Sequence, residues 1–350
     1  IQDQRHDIEW NIALQQLRLQ RDQHGVNGVA NAALEIPTAN AEALSSVPFK
    51  LDFLYDNRSH SGSASFDVNG LPLPALANLH PALQKFSEAQ FALNGQGRIG
   101  FSEGLRIEDA RLNLSSAGGE LRLTEFFPEK INLGNLQLSA RFDRDTKRLI
   151  LEELSANIGA STARINAVLS ESAQNLSLVV EAQLTQILAS DLPQLWPLGV
   201  GKNARAWVTN NIPQGIVTSA NARLSGEMEL DNLVNFRIDS FTGKMDYQDL
   251  EVHYVRPMPP VTAIRGSASF DRNRMDLSVT SGNLGELRVS NGTIALTALD
   301  TNDEQADIKL QIDGPLREAL QILDSEPFRI VRDFGLEPSR LSAQSSANVA

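Results

Sequence analysis

The chain has 350 residues, a formal net charge of −12 and no cysteine. The acidic balance excludes a general nucleic-acid binder, which needs a basic face for counterion release. The missing thiols exclude a disulfide scaffold, a cysteine-ligated metal centre and a thiol nucleophile. Hydrophobic residues make up 41% and charged residues 21%, enough apolar surface to fold and too much for a disordered chain. The length suits about two domains or one large β architecture. The chain begins at Ile1 without the regions of a signal peptide. No run of about 18 apolar residues offers a membrane-spanning helix. The nearest candidate, residues 149–165, is broken by Glu152, Glu153, Asn157, Gly159 and Arg164. The expectation is an excised segment or a mature chain.

A short helix is predicted from Pro74 to about Leu79, with Pro81 interrupting it. From there period two dominates. Leu112 and Leu114 flank Asn113, Leu121 and Leu123 flank Arg122, and Leu136 and Leu138 flank Gln137. Leu149 and Leu151 follow, then Leu176, Leu178 and Val180. A helix over residues 202–210 ends at Pro213 and Gly215. The alternation resumes in Phe236 and Ile238, Val252 and Tyr254, Leu277 and Val279, Leu287 and Val289, and Ile294 and Leu296. Ile308, Leu310 and Ile312 close the series. Successive side chains of a strand point to opposite sides, so each segment predicts a sheet with one apolar and one polar face. The last helix opens at Gly314-Pro315-Leu316, with Pro315 expected at the first helical position. Leu316, Leu320 and Leu323 then share a face.

Turn residues punctuate the runs at 56–58, 117–119, 144–146, 272–274 and 281–283. The glycine-rich stretch 95–100 also reads as a turn, being one residue short of a dinucleotide fingerprint and lacking a following helix. Two short patterns recur. Residues 62–69 match 266–273, with a third version at 140–145, and 119–123 match 285–289. The first pattern reads as a strand end followed by an Asp turn.

A one-sided sheet must bury its apolar face against something, and three short helices cannot cover it all. With about two thirds of the chain in strands there would be roughly 25 of them, about 120 Å of sheet if continuous. Three arrangements remain: a dry sandwich, a closed barrel, or a gutter whose aliphatic lining holds lipid. Enzymatic and metal chemistry find little footing. His6, His24, His60, His80 and His253 are scattered, without a zinc-binding spacing. There is no G-x-S-x-G serine motif. Residues 300–304 carry calcium-like oxygens but lack the glycine of a calcium loop, and read as a solvated acidic loop. No cofactor is expected.

The central stretch narrows the choice. Leu195-Trp196-Pro197, then Ala204-Arg205-Ala206-Trp207-Val208, then Asn211-Ile212-Pro213-Gln214-Gly215 resemble the central region of the YhdP-type, AsmA-like proteins of the Gram-negative envelope. Val252-His253-Tyr254 with Pro257, Pro259 and Pro260, the stretch 266–271, and Gly314-Pro315-Leu316 with its helix continue the likeness in the same order. It is clear from about residue 110 to 345, and the first hundred residues match only in style. The resemblance implies an all-β fold: a long, twisted antiparallel sheet curled into a taco-shaped hydrophobic groove, with a few short helices. Residues 1–110 would be an N-terminal groove segment and 111–350 the family-like region. It also implies a periplasmic protein held to the inner membrane by a segment not present here, moving phospholipid toward the outer membrane without catalysis. Partners implied are phospholipid acyl chains and an outer-membrane or periplasmic protein. The lining would be the alternating residues named above from Leu112 to Ile312, without Val252 and Tyr254 and with Phe270 added. Trp196 and Trp207 would plug one sheet end or touch lipid, and Arg205 would make a structural salt bridge or meet a phosphate. The rival readings are a dry β scaffold and a hydrolase.

Overall fold

The computed structural model describes the chain except residues 1, 4–7, 10, 38–43, 78–80, 126, 173, 199–201, 230, 231, 300, 302, 304, 334–342 and 350. Among the described residues the fold is all-β, with 18 strands in antiparallel ladders and a few short helices. Fewer strands do the work than the roughly 25 expected at 8–9 residues each, because they are longer: Asn11–Arg21 has 11 residues, Gly25–Pro37 has 13 and Gln214–Glu229 has 16. The chain divides into two compact units. One comprises Ile1–Gly159, Ala163–Glu181 and Ser225–Ile238, the other Ala160–Thr162, Ala182–Leu224 and Asp239–Ala350.

In the first unit Asn11–Arg21 pairs with Gly25–Pro37. The ladder continues through Leu44–Asp56, Ser61–Pro72, Ala92–Ser102 and Arg106–Ser116 to Ile131–Asp143 and Arg148–Ile158. The strands from Asn11 to Ser102 therefore belong to the same sheet as those that follow, while Gln2–Asp3 and Ile8–Glu9 pair separately. In the second unit the end of Asn232–Val252 pairs with Val261–Asp271, followed by Arg274–Leu284, Leu287–Thr297, Gln305–Pro315 and Gln344–Val349.

Successive antiparallel strands alternate in direction, so every second connection falls at the same end. In the first unit the tight connections at 22–24, 57–60, 103–105 and 144–147 share one end, the turn rim. The helix Leu73–Leu76, the 3-10 helix Pro81–Phe86 and the loop 122–130 share the other, the helical rim. In the second unit the turn 272–273 and the connection after Thr297 form the turn rim. The loop 253–260, the turn 285–286 and the helices Leu316–Asp324 and Ile330–Asp333 form the helical rim.

Aspartates build the tight turns. Asp22 Oδ1 accepts the backbone N–H of His24 at 2.7 Å and of Gly25 at 2.9 Å. Asp271 Oδ1 accepts those of Asn273 and Arg274 at 2.7 and 2.9 Å, and Asp143 and Asp56 do the same for Thr146 and Arg58. A short carboxylate that bonds the backbone two or three residues on offers the chain a ready-made reversal.

Several sequence expectations change. Asp67 is not a strand end like Asp271: the strand Ser61–Pro72 runs on through it. Its register slips between Val68 and Leu71 around Gly70, whose φ is +74°. Residues 95–100 are not a turn but the middle of Ala92–Ser102. Residues 281–283 also lie inside a strand, and the reversal comes at Gly285, which takes φ +60°. The helix at 74–79 is Leu73–Leu76, and residues 78–80 lie outside the described chain. The helix expected from Pro315 is Leu316–Asp324, with Pro315 as its N-cap in extended conformation, so it starts one residue later than expected. It packs through Ile322 and Ala319 against Met258, Leu284 and Leu287, while Leu323 faces out. The 202–210 helix is Lys202–Asn211.

Candidate apolar binding face

Register turns the alternation of single strands into rows that cross the sheet. Residues directly opposite in a ladder share a face. In the first unit one row runs Leu17, Ala30, Leu51, Phe66, Gly97, Leu112, Ala140, Leu151, with no polar side chain in it. A second runs from Leu14 through Phe49, Val68 and Leu114 to Leu138 and Leu154, and a third from Leu19 through Phe53, Ile99 and Phe142 to Leu149. The opposite face reads Gln16, Asn31, Lys50, Asp67, Gln96, Asn113, Ser139, Glu153. The second unit repeats the pattern. Met245, Ala268, Leu277, Ile294 and Ile308 form one row, and Tyr247, Gly266, Val279, Gly292, Leu310 and Val349 the next.

The aromatic rings on this face lie over glycines of the adjacent strand. A Cβ built on Gly28 would fall 2.5 Å from the Phe53 ring, and one on Gly62 would fall 2.6 Å from Phe101. Phe66 covers Gly97 and Phe270 covers Gly243 in the same manner. A ring laid on a bare backbone buries apolar area without standing up from the sheet, and it shields the glycine's peptide from water.

Most of this face is half-buried rather than sealed. Among the described residues no side chain is less than 2% exposed, whereas the interior of a dry sandwich closes around its large side chains. Burial is instead graded along several strands, though not along Asn11–Arg21, where Leu14 and Leu19 are 58% and 56% exposed. At the helical rim of the first unit Leu73, Ala89 and Leu93 form a closed cluster with Leu114, Leu121 and Leu136 packed on it. At the turn rim of the same unit Leu149 is 48% exposed and Ile107 42%. In the second unit Leu287 and Val289 are 4% and 2% exposed near the helical rim, against 41% for Ile308 at the turn rim.

The expected lining residues fall as follows. Leu112, Leu114, Leu136, Leu138, Leu149 and Leu151 share the apolar face of the first unit. Leu121 pairs with Ile131 at the helical rim, and Leu123 lies beyond the strand end, half-buried. Leu176, Leu178 and Val180 lie on one side of the strand Asn175–Leu188, half-buried. Phe236 lies over Gly226, and Ile238 is exposed. Phe270, Leu277, Val279, Leu287, Val289, Ile294, Leu296, Ile308, Leu310 and Ile312 share the apolar face of the second unit. Sequence reasoning passed over Leu17, Leu51, Phe53 and Phe66; glycine and serine space the strand of Phe66, but the alternation of 49, 51 and 53 was there to find.

Electrostatics gather at the turns. The backbone N–H groups of His24 and then Gly25 hold the Asp22 carboxyl below the usual range, and that of Arg58 does so for Asp56. The Ser102 hydroxyl, then Arg106, lowers Glu108, and the Arg274 guanidinium lowers Asp276. On the apolar face burial pushes the Tyr247 phenol up to about 12, with its hydroxyl donating to the Ser278 carbonyl at 3.2 Å. Among the described residues Arg205 meets no carboxylate. It donates to the carbonyls of Trp196 at 3.2 Å and Pro193 at 2.7 Å, tying Lys202–Asn211 to the helix Leu192–Leu195. Trp196 is half-buried and Trp207 is 47% exposed. A concavity of 770 Å³ lies over the polar face of the second unit, bordered by Lys244, Asp246, Ser278 and Lys309. Its charged rim, with Arg274–Asp276 and Lys309–Asp307 pairs, suits water rather than hydrocarbon.

A family model described as YhdP protein matches residues 96–349. The chain belongs to the YhdP family. That makes it an AsmA-like envelope protein. No curated protein and no solved structure gives a match. No described helix is long and apolar enough to cross a membrane.

Proposed function

We propose that this YhdP-family chain is a segment of a lipid-carrying bridge: a groove that conducts phospholipid acyl chains through the periplasm, without catalysis. The observation that carries the reading is the set of apolar rows, unbroken by a polar side chain across eight strands of the first unit and left half-exposed. A buried methylene is worth about 0.8 kcal/mol, so a 16-carbon tail laid on such a face gains roughly 12 kcal/mol before ordering costs. Many similar aliphatic positions, with rings laid flat over glycines, give a wall without a deep trap. The headgroup stays in water, and the tails trade one stretch of wall for the next.

The test is direct. The protein is purified without detergent and extracted with organic solvent, and co-purified lipid is identified by mass spectrometry. Phospholipid in near-stoichiometric or greater amount is the expected result. A stable, monodisperse protein free of lipid overturns the reading in favour of a structural scaffold.

A further inference from the structure

We propose that bound phospholipid lies with its headgroup outside the turn rim, its tails laid along the strands and pointing to the helical rim. The inference rests on the lipid-carrying reading above and adds an orientation to it. Three observations support it. The helical rim is closed in both units: Leu93 with Leu73 in the first, Ile322 and Met258 over Leu284 and Leu287 in the second. Among the described residues the turn rim has no such cover, and the apolar residues Leu149, Ile107 and Ile308 near it are 48%, 42% and 41% exposed. The connections there are short and charged. Arg106 and Arg144 flank Glu108, Lys147 meets Glu171 at 2.8 Å, and Arg274 meets Asp276 at 2.6 Å.

Chemistry then assigns the ends of the lipid. A phosphodiester cannot pass through a closed apolar cluster without losing its water, whereas at the turn rim it stays hydrated beside cations. Length agrees. From Val289 to Leu296 the strand advances seven residues, about 24 Å at ~3.4 Å each. The hydrocarbon of one bilayer leaflet is about 15 Å thick. A tail therefore fits along the strand between the closed cluster and the open rim.

The absence of cysteine makes the test clean. Single variants Thr146→Cys and Asn273→Cys label the turn rim, and Glu129→Cys and Glu286→Cys the helical rim. All four positions are exposed. Each is labelled with a small fluorophore in the full chain and loaded with phosphatidylcholine bearing a nitroxide on the headgroup or on the tail end. Headgroup nitroxide is expected to quench the labels at 146 and 273 several-fold more than those at 129 and 286, and tail-end nitroxide to reverse the order. Lipid retained with equal or opposite quenching overturns the orientation and leaves the lipid reading standing. Retention of neither lipid overturns the lipid reading itself, and the orientation with it.

Discussion

Phe53 lies across Gly28 of the neighbouring strand, its ring where a Cβ on residue 28 would sit 2.5 Å away. The ring and the missing side chain are one device, since either is awkward alone. Gly28→Ala is expected to lower stability by about 1–3 kcal/mol, the usual cost of overpacking. In a Phe53→Ala background the same change should cost much less, a coupling that urea unfolding of the four-member mutant cycle would measure. Additive effects would show that the ring does not depend on the glycine.

The burial gradient predicts opposite responses to one chemical change. Leu287→Asp puts a carboxylate into the closed helical-rim cluster and should cost more than about 3 kcal/mol. Leu149→Asp sits at the open rim and should leave the melting temperature within a few degrees, near the ±0.5 kcal/mol of ordinary surface changes. It should nonetheless reduce the phospholipid that co-purifies. Equal destabilisation by both would mean that the apolar face is a continuous dry core.

Acid should loosen the hairpins first. Asp22, Asp56, Glu108 and Asp276 are held below their ordinary values in the fold. Each binds its proton less readily when folded than when unfolded. Their stabilisation is therefore present above the unfolded range of about 4 and is lost as pH falls through the folded values. Thermal unfolding from neutral pH downward should show this loss, and Asp22→Asn should flatten the acid limb.

At the alkaline end Tyr247 has the reverse sign. Its phenol is pushed up to about 12 by burial, so its contribution is complete below the unfolded value of about 10 and is lost as pH rises toward 12. Burial raises the Tyr254 phenol as well, so phenolate absorbance should show a late phase that shrinks in Tyr247→Phe. At neutral pH that substitution removes the hydrogen bond to the Ser278 carbonyl, at a cost of about 1 kcal/mol.

Strands and their two faces were legible because side-chain alternation is local: Asn113 between Leu112 and Leu114 already says which side is wet. Asp143 and Asp271 were legible as turn makers for the same reason, since each bonds backbone only two or three residues away. Asp67 misled because its neighbourhood copies that of Asp271 while its strand continues. The glycines at 95 and 97 misled more deeply. A glycine under Phe66 and a glycine in a turn look alike in one dimension, and the ring that distinguishes them comes about thirty residues earlier. Arg205 ended on two carbonyls because helix ends present unpaired C=O groups, which a charge count does not register.

The sequence by itself determined the β class, the amphipathic faces, the aspartate turns and the family likeness, all of which depend on residues near one another in the chain. Tertiary structure alone decided three things: that the strands from Asn11 to Ser102 share a ladder with those after them, that single leucines line up into rows, and that one rim is closed while the other is open. Register between strands and the docking of Ile322 on Leu287 join residues up to dozens of positions apart. Their energies depend on side chains meeting across the sheet, which no local pattern encodes.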